Sequence, residues 1–177
     1  MLTNTTHAPR WARALMLLLP PIWFGLIIGI SFIEAPLKFT APGITIPLGL
    51  GIGRRVFLAM NITEVLLGIL LLIALVSMWR SHRHQELPNF GKIQRYSFLA
   101  LALLLIKTVI IRPLLAVHTD RVLEGSFEGG STTHYYYIGV EVILFVVLLL
   151  LMVSAIRGLL PPTAGVDHAS SPNAEIS

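Results

Sequence analysis

The sequence predicts an all-α integral membrane protein, a four-helix bundle that spans the bilayer with both termini in the cytoplasm. Of its 177 residues, 55% are hydrophobic and only 12% are charged, and the mean hydropathy of +0.79 is typical of chains that have lipid as their solvent. Four apolar stretches are each long enough to cross a bilayer, which takes about 20 residues. The basic residues collect in the segments on one side of these stretches, which sets the orientation.

The four stretches give the helices in order. We predict membrane-spanning helices at about 14–35, 56–79, 96–117 and 135–156, which form a single domain within residues 1–160. The first stretch is longer than the apolar core of a signal peptide, about 7–15 residues, and no small-residue cleavage site follows it, so we interpret it as a retained helix. Residues 161–177 are rich in Pro, Ala and Ser without apolar periodicity, which predicts a disordered cytoplasmic tail.

Basic residues before the first helix, between the second and third, and after the fourth indicate which side is cytoplasmic. They are Arg10, Arg13, Arg80, Arg83, Lys92, Arg95 and Arg157. By the positive-inside rule, the chain is a multi-pass protein of the bacterial cytoplasmic (inner) membrane. The pI of about 9.9 does not indicate nucleic-acid binding, because these residues lie in short loops beside apolar helices. Lipid is the predicted partner, with another membrane protein or a second copy of the chain as further candidates.

The connection after the first helix, Lys38–Arg55, stays apolar while it carries prolines and glycines. Just before it, Pro36 removes a backbone donor and crowds the carbonyl of Phe32, so we expect the first helix to kink or end near Ala35 and Glu34 to turn inward toward the third helix. Three alternating glycines oppose a continuous helix, which predicts a non-helical cover over the bundle. A phosphate cradle is not indicated, because the segment lacks the strand and the lysine-serine/threonine pair of a P-loop.

Ionisable and polar side chains inside the apolar stretches are the candidate functional residues. A charged group at a helix centre costs about 2.5–3.5 kcal/mol on insertion scales, so each one needs a reason to be there. The candidates for ion or ligand binding are Glu34, Lys38, Asn61, Glu64, Lys107, Arg112, His134 and Glu141. They come from all four predicted helices and, Lys107 apart, lie in the predicted outer half of the membrane. Helical spacing within Asn61–Glu64 and His134–Glu141 predicts polar faces that turn toward one another.

Two interpretations of this cluster stay open. Its three acids are matched in number by three bases, as an interhelical ion-pair network that fixes packing would require. The same groups could instead form a proton or ion relay, or a pocket for a polar ligand, which is the default expectation for an intramembrane charge. The second interpretation predicts a transport-like or ligand-sensing protein, which is our principal hypothesis. The first predicts a scaffold or accessory subunit of a larger membrane complex.

The sequence gives little indication of an enzyme or a cofactor. It has no G-x-S-x-G, H-E-x-x-H or P-loop motif and no cysteine, so hydrolase, NTPase and thiolate-metal chemistry are not indicated and we expect no cofactor. A weak metal or haem site could be formed by His118, Asp120 and His134, at the ends of the third and fourth predicted helices. A haem- or quinone-linked redox protein is therefore a third hypothesis, behind the other two.

Three stretches of the sequence carry a resemblance to other proteins. They are "SFIEAPLKFTAPG", "GLGIGRRVF" with Asn61 and Glu64 following, and "HYYYIGVE". Together they resemble a family of small bacterial four-helix inner-membrane proteins with no assigned activity, which have E-A-P-x-K-F after the first helix and H-x-x-Y-x-x-x-E at the start of the last. The resemblance implies a membrane topology and a shared polar cluster near the outer face, and it implies no activity.

Overall fold

The computed structural model describes residues 9–82, 89–115, 117 and 132–160, and the elements within this part of the chain are all helical. Four long helices are present: α1 (Arg10–Thr40), α2 (Ile46–His82), α3 (Phe90–Leu115) and α4 (Thr132–Leu159). All four are long and apolar enough to cross a membrane. The predictions of an all-α fold and of four membrane-length helices are therefore confirmed. The predicted tail, 161–177, lies outside the described residues.

The helices pack around one apolar core. Helix α1 lies against α2 and α4, and α3 lies against the same two helices. Each helix contributes a buried stripe at helical spacing, and in α1 the stripe is Ala12, Met16, Leu19, Trp23 and Ile27. The outward faces are equally apolar, with Leu18, Leu105 and Val109 all more than half exposed. An apolar surface on all sides fits a chain that is surrounded by lipid.

Helix α1 does not end at Pro36, so the predicted end near Ala35 was wrong. The chain is α-helical over Arg10–Ile27, π-helical over Ile28–Glu34 and helical again to Thr40. A proline has no amide hydrogen to donate and crowds the carbonyl four residues before it, here that of Phe32. Phe32 lies within the π-helical segment, in which each carbonyl accepts from the amide five residues on. The Ala35 amide accordingly donates to the Ile30 carbonyl. The helix passes the proline because its hydrogen-bond register has already changed.

Helix α2 begins at Ile46 rather than near 56, so the predicted non-helical cover was wrong from Ile46 onward. The Thr45 carbonyl accepts the Gly49 amide at 2.9 Å, and its hydroxyl accepts the Leu48 amide at 3.4 Å, which satisfies two donors of the first turn. Pro47 sits in that turn, where no amide hydrogen is needed. Glycine has a low helix propensity, but backbone groups beside lipid must be hydrogen-bonded, and a helix is the only local way to do this.

Two of the glycines form a packing surface on α2. Gly49 and Gly53 are four residues apart, lie on the same face and are buried. A Cβ atom at Gly49 would overlap the ring of Phe39, and one at Gly53 would lie 2.7 Å from Nζ of Lys38. Gly51 lies between them and faces open space. The absent side chains let the end of α1 lie directly on the start of α2.

We predict that Gly49→Ala destabilises the protein relative to Gly51→Ala. The first substitution forces the Phe39 ring away from α2, and overpacking of this kind costs about 1–3 kcal/mol. The second adds a methyl group in open space and should stabilise the helix by about 0.5–1 kcal/mol. Thermal unfolding of the purified variants in a mild detergent measures the difference. Equal midpoints would show that the two glycines have the same role.

Candidate functional site

Three charged side chains occupy interior positions of otherwise apolar stripes. Glu64 and Lys107 are 0% exposed and Glu141 is 2% exposed. Lys107 follows Ala100 and Leu104 on the buried face of α3, at the spacing that an apolar residue would have. The same is true of Glu64 on α2 and of Glu141 on α4. The local fold therefore directs all three charges to the centre rather than to the surface.

The three side chains form one ionic group, which we call the acid–lysine triad: Glu64, Lys107 and Glu141. The Lys107 ammonium donates to Oε1 of Glu64 at 2.6 Å and to Oε2 of Glu141 at 2.8 Å. These are short, charge-assisted hydrogen bonds in a water-poor environment. The ring of Tyr137 lies on another side of the ammonium, 5.6 Å from Nζ to the ring centroid, close enough for a cation–π interaction.

Helix α1 supplies a polar partner to each carboxylate. The indole nitrogen of Trp23 donates to Oε1 of Glu64 at 3.0 Å, and the Ser31 hydroxyl lies 3.1 Å from Oε1 of Glu141. The second oxygen of Glu64, Oε2, lies within ion-pair distance of Lys107 but meets no donor in hydrogen-bonding geometry. All four helices therefore contribute to the triad or to its hydrogen bonds.

A neutral amide bridges α2 and α3 beside the triad. Asn61 donates from Nδ2 to Oγ1 of Thr108 at 2.9 Å, and its Oδ1 accepts from Nη1 of Arg112 at 3.0 Å. Asn61 is 5% exposed and Arg112 is half-buried. The predicted polar face of α2, which carries Asn61, therefore contacts the face of α3 that carries Thr108 and Arg112. The guanidinium of Arg112 is held by an amide and touches neither carboxylate of the triad.

Glu34 and Lys38 form a separate pair at the end of α1. Nζ of Lys38 lies 3.3 Å from Oε2 of Glu34, and the predicted inward turn of Glu34 toward α3 is therefore wrong. Because the helix continues through Pro36, the two residues keep the i, i+4 relation that favours an ion pair. Lys38 also lies over the ring of Phe57 at 5.1 Å, and this ring meets Tyr137 edge to face at 5.6 Å. The rings of Phe57 and Tyr137 thus lie between this pair and the triad.

The structure divides the charges differently from the equal numbers in the sequence. Glu34 and Lys38 balance one another, whereas the triad places two carboxylates on one ammonium. If all three groups of the triad are ionised, the buried group carries one negative charge in excess. An isolated buried charge is costly, so this excess needs a counter-charge or a proton.

The histidines and the proposed metal ligands are not brought to this site by any described contact. His134 belongs to the first turn of α4, and its side chain lies outside the part of the structure that is described; His118 and Asp120 also lie outside it. Within the described ranges, no three His, Asp or Glu side chains come together as a metal ion would require. The haem and metal hypothesis therefore stays a prediction.

Two π-helical segments accompany the polar contacts, and the sequence reasoning did not identify them. Ser31 lies in Ile28–Glu34, ahead of Pro36, and Lys107 opens Lys107–Ile111, ahead of Pro113. Single π-helical turns are often found at functional sites. The roles of Trp23 and Ser31 were also missed. A buried tryptophan needs an acceptor for its N–H group, which is the signal that could have linked Trp23 to an acid.

Comparison with known proteins gives no family for this chain. No protein-family model matches it, and no curated protein or solved structure does so either. The geometry of the triad is therefore the observation from which a function can be inferred.

We predict that Trp23→Phe destabilises the protein and that Trp11→Phe does not. The first variant removes the N–H donor to a buried carboxylate, and a hydrogen bond to a charged group contributes about 1.5–3 kcal/mol. Trp11 lies on the same helix and is 48% exposed, so its replacement should change the free energy of unfolding by about 0.5 kcal/mol or less. Denaturation in mixed micelles compares the two. A Trp23 variant as stable as the Trp11 variant would contradict the assigned bond.

Proposed function

We propose that the chain is a four-helix transmembrane bundle of the bacterial inner membrane with both termini in the cytoplasm. The guanidinium of Arg13 donates to the Leu159 carbonyl at 2.6 Å, which puts the start of α1 beside the end of α4. Arg10, Arg80 and Arg157 lie toward this same end of the helices, whose successive directions alternate. The positive-inside rule supports the assignment of this end to the cytoplasm.

A pair of reporter fusions tests this orientation. A fluorescent protein inserted at Gly91, in the first turn of α3, should fluoresce because it folds in the cytoplasm, and alkaline phosphatase inserted at the same residue should be inactive. Alkaline phosphatase inserted at Gly125, in the connection before α4, should be active because it folds outside. Phosphatase activity at Gly91 would overturn the orientation and would place the acid–lysine triad nearer the cytoplasmic face.

We further propose that the protein is transport-like or ligand-sensing and that the triad binds an ion, a proton or a polar solute in the outer half of the bilayer. The observation that carries this proposal is that two carboxylates share one ammonium, with all three groups removed from solvent. A network that serves only packing is best served by equal charges, since a buried excess is unfavourable. An excess that is retained inside apolar helices is the property of a site that takes up positive charge.

The position of the triad supports the same proposal. It lies beneath the outer pair of Glu34 and Lys38, with the rings of Phe57 and Tyr137 between them. Glu34 remains 30% exposed at its side chain, so the outer pair reaches solvent or headgroups while the triad does not. From the surface inward, the order is the Glu34–Lys38 pair, the two aromatic rings and the triad. This order suits a site that an ion or solute reaches from one side of the membrane only.

A second candidate is a scaffold or accessory subunit of a larger membrane complex. The observation in its favour is that the triad is closed: both carboxylates are held from α1 and from Lys107, as a fixed network would be. Purification in mild detergent separates the two candidates. A reproducible stoichiometric partner supports the subunit, and a monodisperse lone bundle counts against it.

The principal proposal is tested by charge movement in proteoliposomes. Rapid exchange of pH, Na⁺ or K⁺ over a supported membrane should give a displacement current with the wild-type protein for at least one of the three. Glu64→Gln and Glu141→Gln should reduce that current to background, because each removes the excess charge of the triad. Glu175→Gln is the matched control, since it removes an acid of the predicted tail, and it should retain most of the current.

Thermal unfolding of the same samples completes the test. Loss of current in variants that unfold at the wild-type temperature supports a binding site. No current in the wild-type protein, together with loss of stability in both triad variants, would assign the triad to structure alone.

A further inference from the structure

We propose that the ligand of the acid–lysine triad is a proton, and that it is held on Oε1 of Glu141 with the Ser31 hydroxyl as its partner. This inference deepens the proposed function and rests on it for the idea that the triad takes up positive charge. It follows from which neighbouring groups are able to accept a hydrogen bond, and it names one oxygen among the four carboxylate oxygens of the triad.

The groups that contact Glu64 are hydrogen-bond donors. Its Oε1 meets the indole N–H of Trp23 and the ammonium of Lys107, and both groups are donors only. Its Oε2 also lies against the Lys107 ammonium and has no hydrogen-bond partner within the described residues. A proton on either oxygen of Glu64 would therefore point at a donor.

The surroundings of Glu141 are different on one side. Its Oε2 also faces Lys107, but its Oε1 faces the Ser31 hydroxyl at 3.1 Å. A hydroxyl group both donates and accepts, so Ser31 accepts from a protonated Oε1 and donates to an ionised one. Sδ of Met60, 3.7 Å from the Ser31 oxygen, is a weak acceptor that takes the serine hydrogen when the carboxyl is protonated. Proton binding at this oxygen needs only a rotation of one hydroxyl group.

The charges that face Glu141 from the packed helices fit this assignment. Lys107 on α3 is the one cation in hydrogen-bonding contact with it among the described residues, and Glu64 on α2 competes for that cation. Tyr137 on α4 is neutral, and Lys38 on α1 is already paired with Glu34. Arg112 on α3 is half-buried and bound to Asn61. With a proton on Glu141, one carboxylate and one ammonium remain, and the triad is neutral.

A proton fits this place better than a metal ion or an organic cation. The position between the two carboxylates, where a bound cation would be expected, is occupied by Nζ of Lys107. A second cation there would be repelled by the ammonium, whereas a proton forms one O–H bond with a carboxylate oxygen and occupies no further space. Ser31 is half-buried and lies on the same helix as Glu34.

Infrared difference spectroscopy of the purified protein in H₂O and D₂O tests the proposal. Near neutral pH, the wild-type protein should show the C=O stretch of a protonated carboxylic acid with the isotope shift of an exchangeable hydrogen. Glu141→Gln should abolish this band, and Glu175→Gln, in which an acid of the predicted tail is replaced, should retain it.

Two further variants locate the proton, because removal of either triad acid would abolish the band. Ser31→Ala removes the partner of Glu141 alone and should shift the band or reduce its intensity, and Ser31→Thr should restore it because the hydroxyl is kept. Trp23→Phe removes a partner of Glu64 alone and should leave the band in place. A band that responds to Trp23→Phe and not to Ser31→Ala would place the proton on Glu64 and overturn the assignment.

Other outcomes separate this inference from the proposed function. A wild-type protein without the band, in which Arg112→Gln then produces it, would show that Arg112 neutralises the triad and that no proton is bound. Currents driven by Na⁺ or K⁺ without the band would keep the proposed function and reject the proton. The band without any current would keep the proton and reject transport.

Discussion

The Lys107 ammonium is the contact on which the rest of the structure depends. It joins α3 to carboxylates on α2 and α4, and these carboxylates are in turn bound by Trp23 and Ser31 on α1. Because its partners would be left as unpaired buried charges without it, the whole group forms together or not at all. An apolar core fixes only the approximate positions of four helices, whereas this contact fixes their rotation about their own axes.

Polar contacts of this kind are more important for helix orientation in lipid than in water. The outward and inward faces of the helices are similarly apolar, so burial of apolar surface does little to decide which face turns inward. Close approach through small residues and specific polar contacts have to decide it. Gly49 and Gly53 provide the first between α1 and α2, and the triad with the Asn61 bridge provides the second at the centre. The glycine contact and the polar contacts lie at different positions along the bundle and join different pairs of helices.

The sequence predicts the helices well because a stretch of about 20 apolar residues has few other structures available in lipid. It predicts the ends of the helices poorly. Pro36 and the glycines near Gly51 break helices in water, but beside lipid the backbone keeps its hydrogen bonds through a π-helical turn or a capped first turn. The polar faces were predicted from spacing, whereas the division of charges into a balanced pair and an unbalanced triad depends on helix rotations that spacing alone does not give.

The π-helical segments change the helix face on which each later charged residue lies. Each holds one residue more than α-helical geometry would need, so the faces before and after it are offset by about 100° from a regular helix. Deletion of one residue from Lys107–Ile111 would restore the regular helix and keep its apolar character. The residues that follow would keep their faces relative to Lys107, because the wide turn already absorbs the extra residue. One more residue placed in regular helical geometry before Arg112 would instead turn its guanidinium by about 100° and separate it from Asn61, with hydropathy almost unchanged.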